Sequence, residues 1–159
     1  MSAVEDRLAG LGLSVPDVAK PVAAYVPAVR DGNLVFTSGQ LPMVSGELAR
    51  TGKVGTAGTD SGVSPEEAKE LAQTCALNAI AAVRSVIGDL DKVTRVVKVV
   101  GFVASDPSFT GQAGVINGAS ELLGKAFGDA GVHARSAVGV AVLPLDAPVE
   151  VEIIVSVKD

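Results

Sequence analysis

Tryptophan is absent from this 159-residue chain, and tyrosine, histidine and cysteine occur once each. A lone cysteine, Cys75, cannot close an internal disulfide. One histidine and one cysteine also fall short of a clustered metal-ligand set, so no metal and no cofactor is expected. Basic runs are missing too. Lysine and arginine are scattered singly, the net charge is −5, and one Tyr with four Phe leaves little for bases to stack on. These features argue against a nucleic-acid partner, which is normally held through its phosphates by a basic patch. No apolar run approaches the roughly 20 residues that span a bilayer. The opening MSAVEDRLAGLG lacks the basic region and apolar core of a secretory signal. A reducing cytoplasm is the expected location.

What is present is hydrophobic: 48% of the residues, against 19% charged, which excludes disorder and predicts one compact core. Residues 1–20 read as an N-terminal helical extension, with Val4, Leu8 and Leu11 on one side, leading into a single domain over residues 21–159. Two apolar runs, Ala24 to Val29 and Leu34 to Ser38, flank Arg30-Asp31-Gly32-Asn33, and an Asp-Gly between such runs signals a hairpin. Pro42 to Gly62 is rich in Gly, Ser and Thr and reads as one long loop. Ser64-Pro65-Glu66-Glu67 then supplies an N-cap, a first-turn proline and a capping-box glutamate. The apolar stripe from Ala68 to Val86 predicts a helix that Gly88 ends, with Cys75 in its buried face.

Val93 to Ala104 reads as a third strand, Asp106-Pro107 as the opening of a second helix running to about Phe127, and Ser136 to Val142 and Val149 to Val157 as closing strands. The order is ββαβαββ, an α+β arrangement in which two helices can cover one face of the sheet. The third strand is apolar at nearly every position, so its second face needs cover as well, and identical sheets packed about a symmetry axis would supply it. Pairing the last two strands through Leu143 to Pro148 would set Arg135 opposite Ser156. Arg135, Ala137, Gly139, Ala141, Glu150, Glu152 and Ile154 would share the oligomeric face, and Val138, Val140, Val151, Ile153 and Val155 the helix-covered one. Arg135 and Glu150 would then lie about 20 Å apart, able to cooperate only across a subunit boundary.

The run Ala134-Arg135-Ser136-Ala137-Val138 to Leu143-Pro144, followed by Val149-Glu150-Val151-Glu152, resembles the signature of the RidA/YjgF family, whose members are also described as L-PSP-like endoribonucleases. Ala24-Tyr25-Val26, Thr37-Ser38-Gly39-Gln40 and Val115-Ile116-Asn117 are similar to three further family motifs, in family order. The resemblance, to a subgroup with a longer loop, covers roughly residues 20 to 159. It implies a chorismate-mutase-like fold assembled as a barrel-like homotrimer with clefts between subunits. It also implies hydrolysis of reactive imines and enamines such as 2-aminoacrylate to 2-oxo acids and ammonia.

Under that resemblance Arg135 grips the substrate carboxylate, and Glu150 and Tyr25 orient water and the substrate nitrogen. Ser38, Gly39, Asn117 and Ala137 line the cleft. Many members carry cysteine where this chain has Ala137, which excludes thiol chemistry there. A guanidinium suits the clamp because its planar fork takes both carboxylate oxygens and stays charged when desolvated. Two other readings stand beside this one. The first is a non-catalytic module binding small carboxylates or metabolites. The second is a ribonuclease, which the charge balance disfavours. A phosphate cradle in Gly52 to Gly62 is rejected, because the loop lacks the P-loop lysine and is followed by two glutamates. His133, two residues from Arg135, reads as a surface loop residue.

Overall fold

The protein is described here from a computed structural model, which covers residues 1–21, 23–56 and 62–159. Helix α1 spans Ala3–Gly10, opened by a capping box between Ser2 and Glu5. Eight residues make a marginal helix in isolation, and docking compensates. Val4 and Leu8 are buried. The Ala3 and Val4 amides donate to the Asp91 carboxylate at 2.9 and 3.2 Å, and Glu5 pairs with Arg84 at 2.8 Å. The helix stops well short of Lys20 because Gly12 takes a left-handed φ of 75° and residues 13–21 carry no regular structure.

Strands β1 (Ala28–Asp31) and β2 (Leu34–Thr37) form the expected hairpin, but β1 starts four residues later than Ala24. The predicted long loop contains a second hairpin, β3 (Met43–Val44) and β4 (Glu47–Leu48). Ser45 and Gly46 both take positive φ at its turn, the geometry that matches strand twist. The Asn78 amide nitrogen donates to the carbonyls of Leu41 and Met43, both at 3.0 Å, and ties this segment down. Residues 57–61 of the loop lie outside the described residues.

Helix α2 (Pro65–Ile87) begins and ends where its caps place it, with Ser64 Oγ accepting the Glu67 amide and Gly88 at φ 78°. The Glu67 carboxylate leaves the capping box for Arg50, at 3.2 Å. Cys75 is fully buried on this helix, with Sγ 3.8 Å from the Val149 carbonyl oxygen. Burial pushes its thiol pKa well up, and the Glu150 charge adds to that. The native protein should therefore not react with an aromatic disulfide reagent, whereas the urea-unfolded chain should release one equivalent of thiolate. Rapid native labelling would contradict this burial.

Strand β5 runs Val93–Ala104, α3 Gln112–Phe127, β6 Ala134–Val140 and β7 Val149–Val157. Helix α3 starts six residues after Asp106. The Asp106 carboxylate accepts the Ser108 amide and hydroxyl at 2.9 and 2.6 Å, a side-chain turn that competes with helix. The main sheet has the order β1-β2-β7-β5-β6, with β6 parallel to β5 and the other neighbours antiparallel.

Two expectations are corrected by this order. First, β6 and β7 are not a hairpin, because β5 lies between them. A helical crossover returns β6 parallel to β5, and the Leu143 to Pro148 connection then crosses the end of β5. There the Ala104 amide donates to the Pro148 carbonyl and the Ser105 amide to the Val140 carbonyl. Second, β6 has the opposite facing. Register sets Arg135 beside Val99 and Val138 beside Phe102. Val99 is buried on the helix side, whereas Val138 is 44% exposed on the open side. For β7 the predicted alternation holds: Val149, Val151, Ile153, Val155 and Val157 are buried, with Glu150, Glu152 and Ile154 on the open face.

That open face is apolar for a surface. Leu34 and Phe36 are each 37% exposed on β2 and Val138 44% on β6, and half-buried Ile154, Val100 and Phe102 lie on the strands between them.

Candidate functional site

Arg135 is the second residue of β6 and points under α3. Ala113, Asn117 and Ser120 lie one helical turn apart, on one stripe of that helix. Arg135 Nη1 donates to Asn117 Oδ1 at 2.8 Å and to Ser120 Oγ at 3.2 Å, and Nη2 donates to the Ala113 carbonyl at 3.2 Å. Of the five guanidinium N–H donors three are thus engaged, leaving Nε–H and one Nη2–H without a protein acceptor among the described residues. All three acceptors are neutral. Arg135 has no carboxylate partner among the described residues; Arg7 and Arg95 also bond only neutral carbonyls, those of Ala126 and Val132, but each through a single hydrogen bond, whereas Arg135 makes three. The half-buried guanidinium is thus held in place by α3 while keeping unused donors.

The network extends one step further. Ser120 Oγ lies 2.8 Å from His133 Nε2, and His133 Nδ1 lies 2.6 Å from the Gly131 carbonyl oxygen. His133 is therefore half-buried against α3, not the free surface residue that its loop position suggested. Ser120 had no signal in the sequence beyond its three-residue spacing from Asn117.

A second cluster lies elsewhere on the sheet. Glu150 stands on the open face of β7, and Gly39 passes so close that any Cβ there would overlap the Glu150 carboxylate. The Gln40 amide and carbonyl pair with Val151, which fixes that approach. Ser38 Oγ donates to the Val26 carbonyl at 2.6 Å and the Ser38 amide to that of Pro27, so Ser38 holds the segment that carries Tyr25. Tyr25, 45% exposed, lines a groove with Pro27, Gly39, Gln40, Leu41 and Met43. Ala137 belongs with Arg135: it is half-buried on the helix side of β6, packed against the core.

Within one chain the two clusters do not meet. Arg135 aligns with Val99 and Glu150 with Phe102, three residues along β5 and one strand to either side of it. With strand dimensions near 3.3 Å per residue and 4.8 Å between strands, their Cα atoms are about 14 Å apart. Their side chains leave opposite faces of the sheet. This separation replaces the longer one expected from a hairpin.

Burial, and secondarily the neighbouring Glu152, raise the Glu150 pKa above the ordinary carboxyl value of 4.5. Folding therefore favours the protonated form. The stability Glu150 contributes is fully present below the unfolded pKa and is lost as pH rises through the folded one. Glu150→Gln should raise the melting temperature at pH 7, with the difference vanishing below about pH 4. Equal melting temperatures at pH 7 would show that the carboxylate is not desolvated.

The fold and these clusters define an α+β protein with one helix-covered sheet face, one open face and an arginine held under α3 by neutral acceptors. Residues 5–156 match the family model described as "YjgF/chorismate mutase-like, putative endoribonuclease". The chain belongs to this family. It is 42% identical over 157 residues to Protein TCP17 of Trypanosoma cruzi, covering 98% of this chain and 95% of that protein. Among solved structures, Atu1372 of Agrobacterium tumefaciens, of unknown function, superposes with a TM-score of 0.89 at 46% identity, covering 98% of this chain and 93% of its own. E. coli TdcF with bound serine superposes with a TM-score of 0.63 at 26% identity, covering 89% and 94%.

Proposed function

We propose that the protein is a deaminase that hydrolyses small carboxylate-bearing imines and enamines, such as 2-aminoacrylate, to 2-oxo acids and ammonia. The observation that carries this reading is Arg135: a guanidinium secured by three neutral acceptors, with two donors left over and no carboxylate partner among the described residues. Serine, the molecule bound to TdcF, likewise bears a small carboxylate, which suits such a clamp. The working unit in this reading is a cytoplasmic homotrimer. Trimer formation would bury the open apolar face and bring Glu150 and Tyr25 of one subunit up to Arg135 of the next, which one chain by itself does not do.

The chemistry follows from positioning. An enamine first tautomerises by protonation at carbon. The imine carbon, fixed by its carboxylate on Arg135, then takes a water oriented by Glu150 and Tyr25. The carbinolamine collapses as a proton reaches nitrogen and ammonia leaves, so that one water is consumed per ammonia released. A carboxyl whose pKa burial raises holds its proton more tightly than a solvated one and so can return it to nitrogen. Asn117 acts by holding the clamp, and Gly39 gives the Glu150 carboxylate its room. Most of the rate then comes from orientation and fixed dipoles, with no cofactor.

The endoribonuclease in the family's description is disfavoured for this chain by its charge of −5 and its few aromatics. The test generates an imine in situ from a 2-amino acid and measures ammonia release against buffer, alongside sedimentation for a mass three times 15.9 kDa. Accelerated release by a trimer is expected. Binding of 2-oxo acids with no acceleration would establish a non-catalytic carboxylate-binding module instead, and a stable monomer would remove the shared cleft.

A further inference from the structure

Arg135 is a long side chain that must hold one geometry to act as a fork, and most of its restraint comes from α3. Asn117 and the Ala113 carbonyl are two restraints. The third is a relay of two residues that nothing in the sequence motifs marks: Ser120 and His133. The direction of each bond can be worked out from the groups. His133 Nδ1 faces the Gly131 carbonyl, which can only accept, so Nδ1 carries the hydrogen and Nε2 of the neutral ring is bare. The Ser120 hydroxyl at 2.8 Å therefore donates to Nε2. Its oxygen is left as an acceptor, turned to the Arg135 Nη1–H at 3.2 Å.

A serine hydroxyl on a helix usually rotates to bond a preceding carbonyl of its own helix. Here His133 claims its hydrogen and so keeps the oxygen lone pairs facing the guanidinium. Because Asn117 Oδ1 and Ser120 Oγ take both hydrogens of Nη1, the guanidinium plane cannot turn about its long axis without breaking one of them. The relay starts at Gly131, where a Cβ would press on the Leu123 carbonyl at 2.5 Å, so its far end is itself seated on α3.

We propose that Ser120 and His133 are positioning residues that set the plane of the Arg135 fork toward the substrate carboxylate, His133 acting through Ser120. The inference rests on the deaminase reading above. A relay of this kind acts on carboxylate-bearing substrates and leaves intact the hydrolysis of an imine without a carboxylate.

The experiment compares Ser120→Ala, His133→Ala, the double variant, Ser120→Thr and Arg135→Ala. Each is assayed on a carboxylate-bearing imine and on a neutral imine, and the Kd of a 2-oxo acid is measured by calorimetry. Ser120→Ala and His133→Ala should each lower kcat/KM for the carboxylate substrate about tenfold, chiefly through KM, and weaken the oxo acid similarly. The double variant should be no worse than Ser120→Ala, since both remove the same restraint. Ser120→Thr, which keeps the hydroxyl, should restore most of the loss, and the neutral imine should show no change in any variant of the pair. Unchanged KM and Kd in both single variants, with Arg135→Ala inactive, would overturn the relay and leave the clamp standing. So would additive losses, or equal losses on the neutral imine. Full activity in Arg135→Ala would overturn the deaminase reading itself.

Discussion

Arg135→Lys lowers kcat/KM for a carboxylate-bearing imine by about a hundredfold or more, with the fold intact, if the clamp works as a fork. The formal charge is unchanged, so the loss isolates geometry. The guanidinium serves three protein acceptors, Asn117, Ser120 and the Ala113 carbonyl, and still has two donors free. An ammonium has three donors on one atom. Either it satisfies α3 and meets the substrate poorly, or it meets the substrate and leaves those acceptors bare. Losing one charge-assisted hydrogen bond and the alignment it enforces costs about 3 kcal/mol, which is the hundredfold. Ammonia release under single-turnover conditions is the measurement. A loss of less than fivefold would mean that charge suffices, and the plane of the group would carry no significance.

The second large effect falls on stability. Gly118 sits in α3 where it crosses α2, and a Cβ added there would overlap the Lys69 carbonyl oxygen, with the Lys69 carbonyl carbon 2.9 Å away. In an open helix site, alanine in place of glycine gains up to about 1 kcal/mol. Here the obstacle is backbone, which has no rotamer to yield, so the two helices must part. Gly118→Ala should cost about 3 kcal/mol, lowering the melting temperature by roughly 6 to 12 °C for a domain of this size. Gly124→Ala on the same helix has open space and should be neutral or stabilising. If both variants melt alike, the close crossing of α2 and α3 is wrong. Gly118 also follows Asn117 directly, so parting the helices would shift the Arg135 clamp.

Helix α2 was legible at both ends because Ser64, Pro65 and Gly88 act through their own backbone neighbours. Strand β7 was legible because valine and isoleucine alternate with polar residues along its first half. Strand β6 misled. Its valines at 138 and 140 read as the buried face, yet the helix side carries Arg135, Ala137 and Gly139. Helix α3 and its approach crowd that side so closely that a Cβ on Gly139 would meet Gln112 Nε2 at 2.8 Å and Ser105 Oγ at 2.9 Å. Small residues are required there, and the valines turn to the open face.

The candidate site divides in the same way. Arg135, Asn117, Tyr25, Gly39 and Glu150 were singled out as candidates through motif resemblance, since each sits in a short recognisable run. Ser120 and the placement of His133 were not, because a hydrogen bond between a helix and a loop thirteen residues on leaves no periodic trace.

By itself the amino-acid sequence determined the order of the long helices and strands, both ends of α2, and that position 135 carries a charge worth explaining. Those follow from local periodicity, capping and composition, which act between near neighbours. Only the tertiary structure decided that β5 separates β6 from β7, that Arg135 turns toward α3, and that Glu150 leaves the opposite face. Such choices depend on which distant strand wins an edge and how closely a helix can approach, and those are settled by packing across the whole chain.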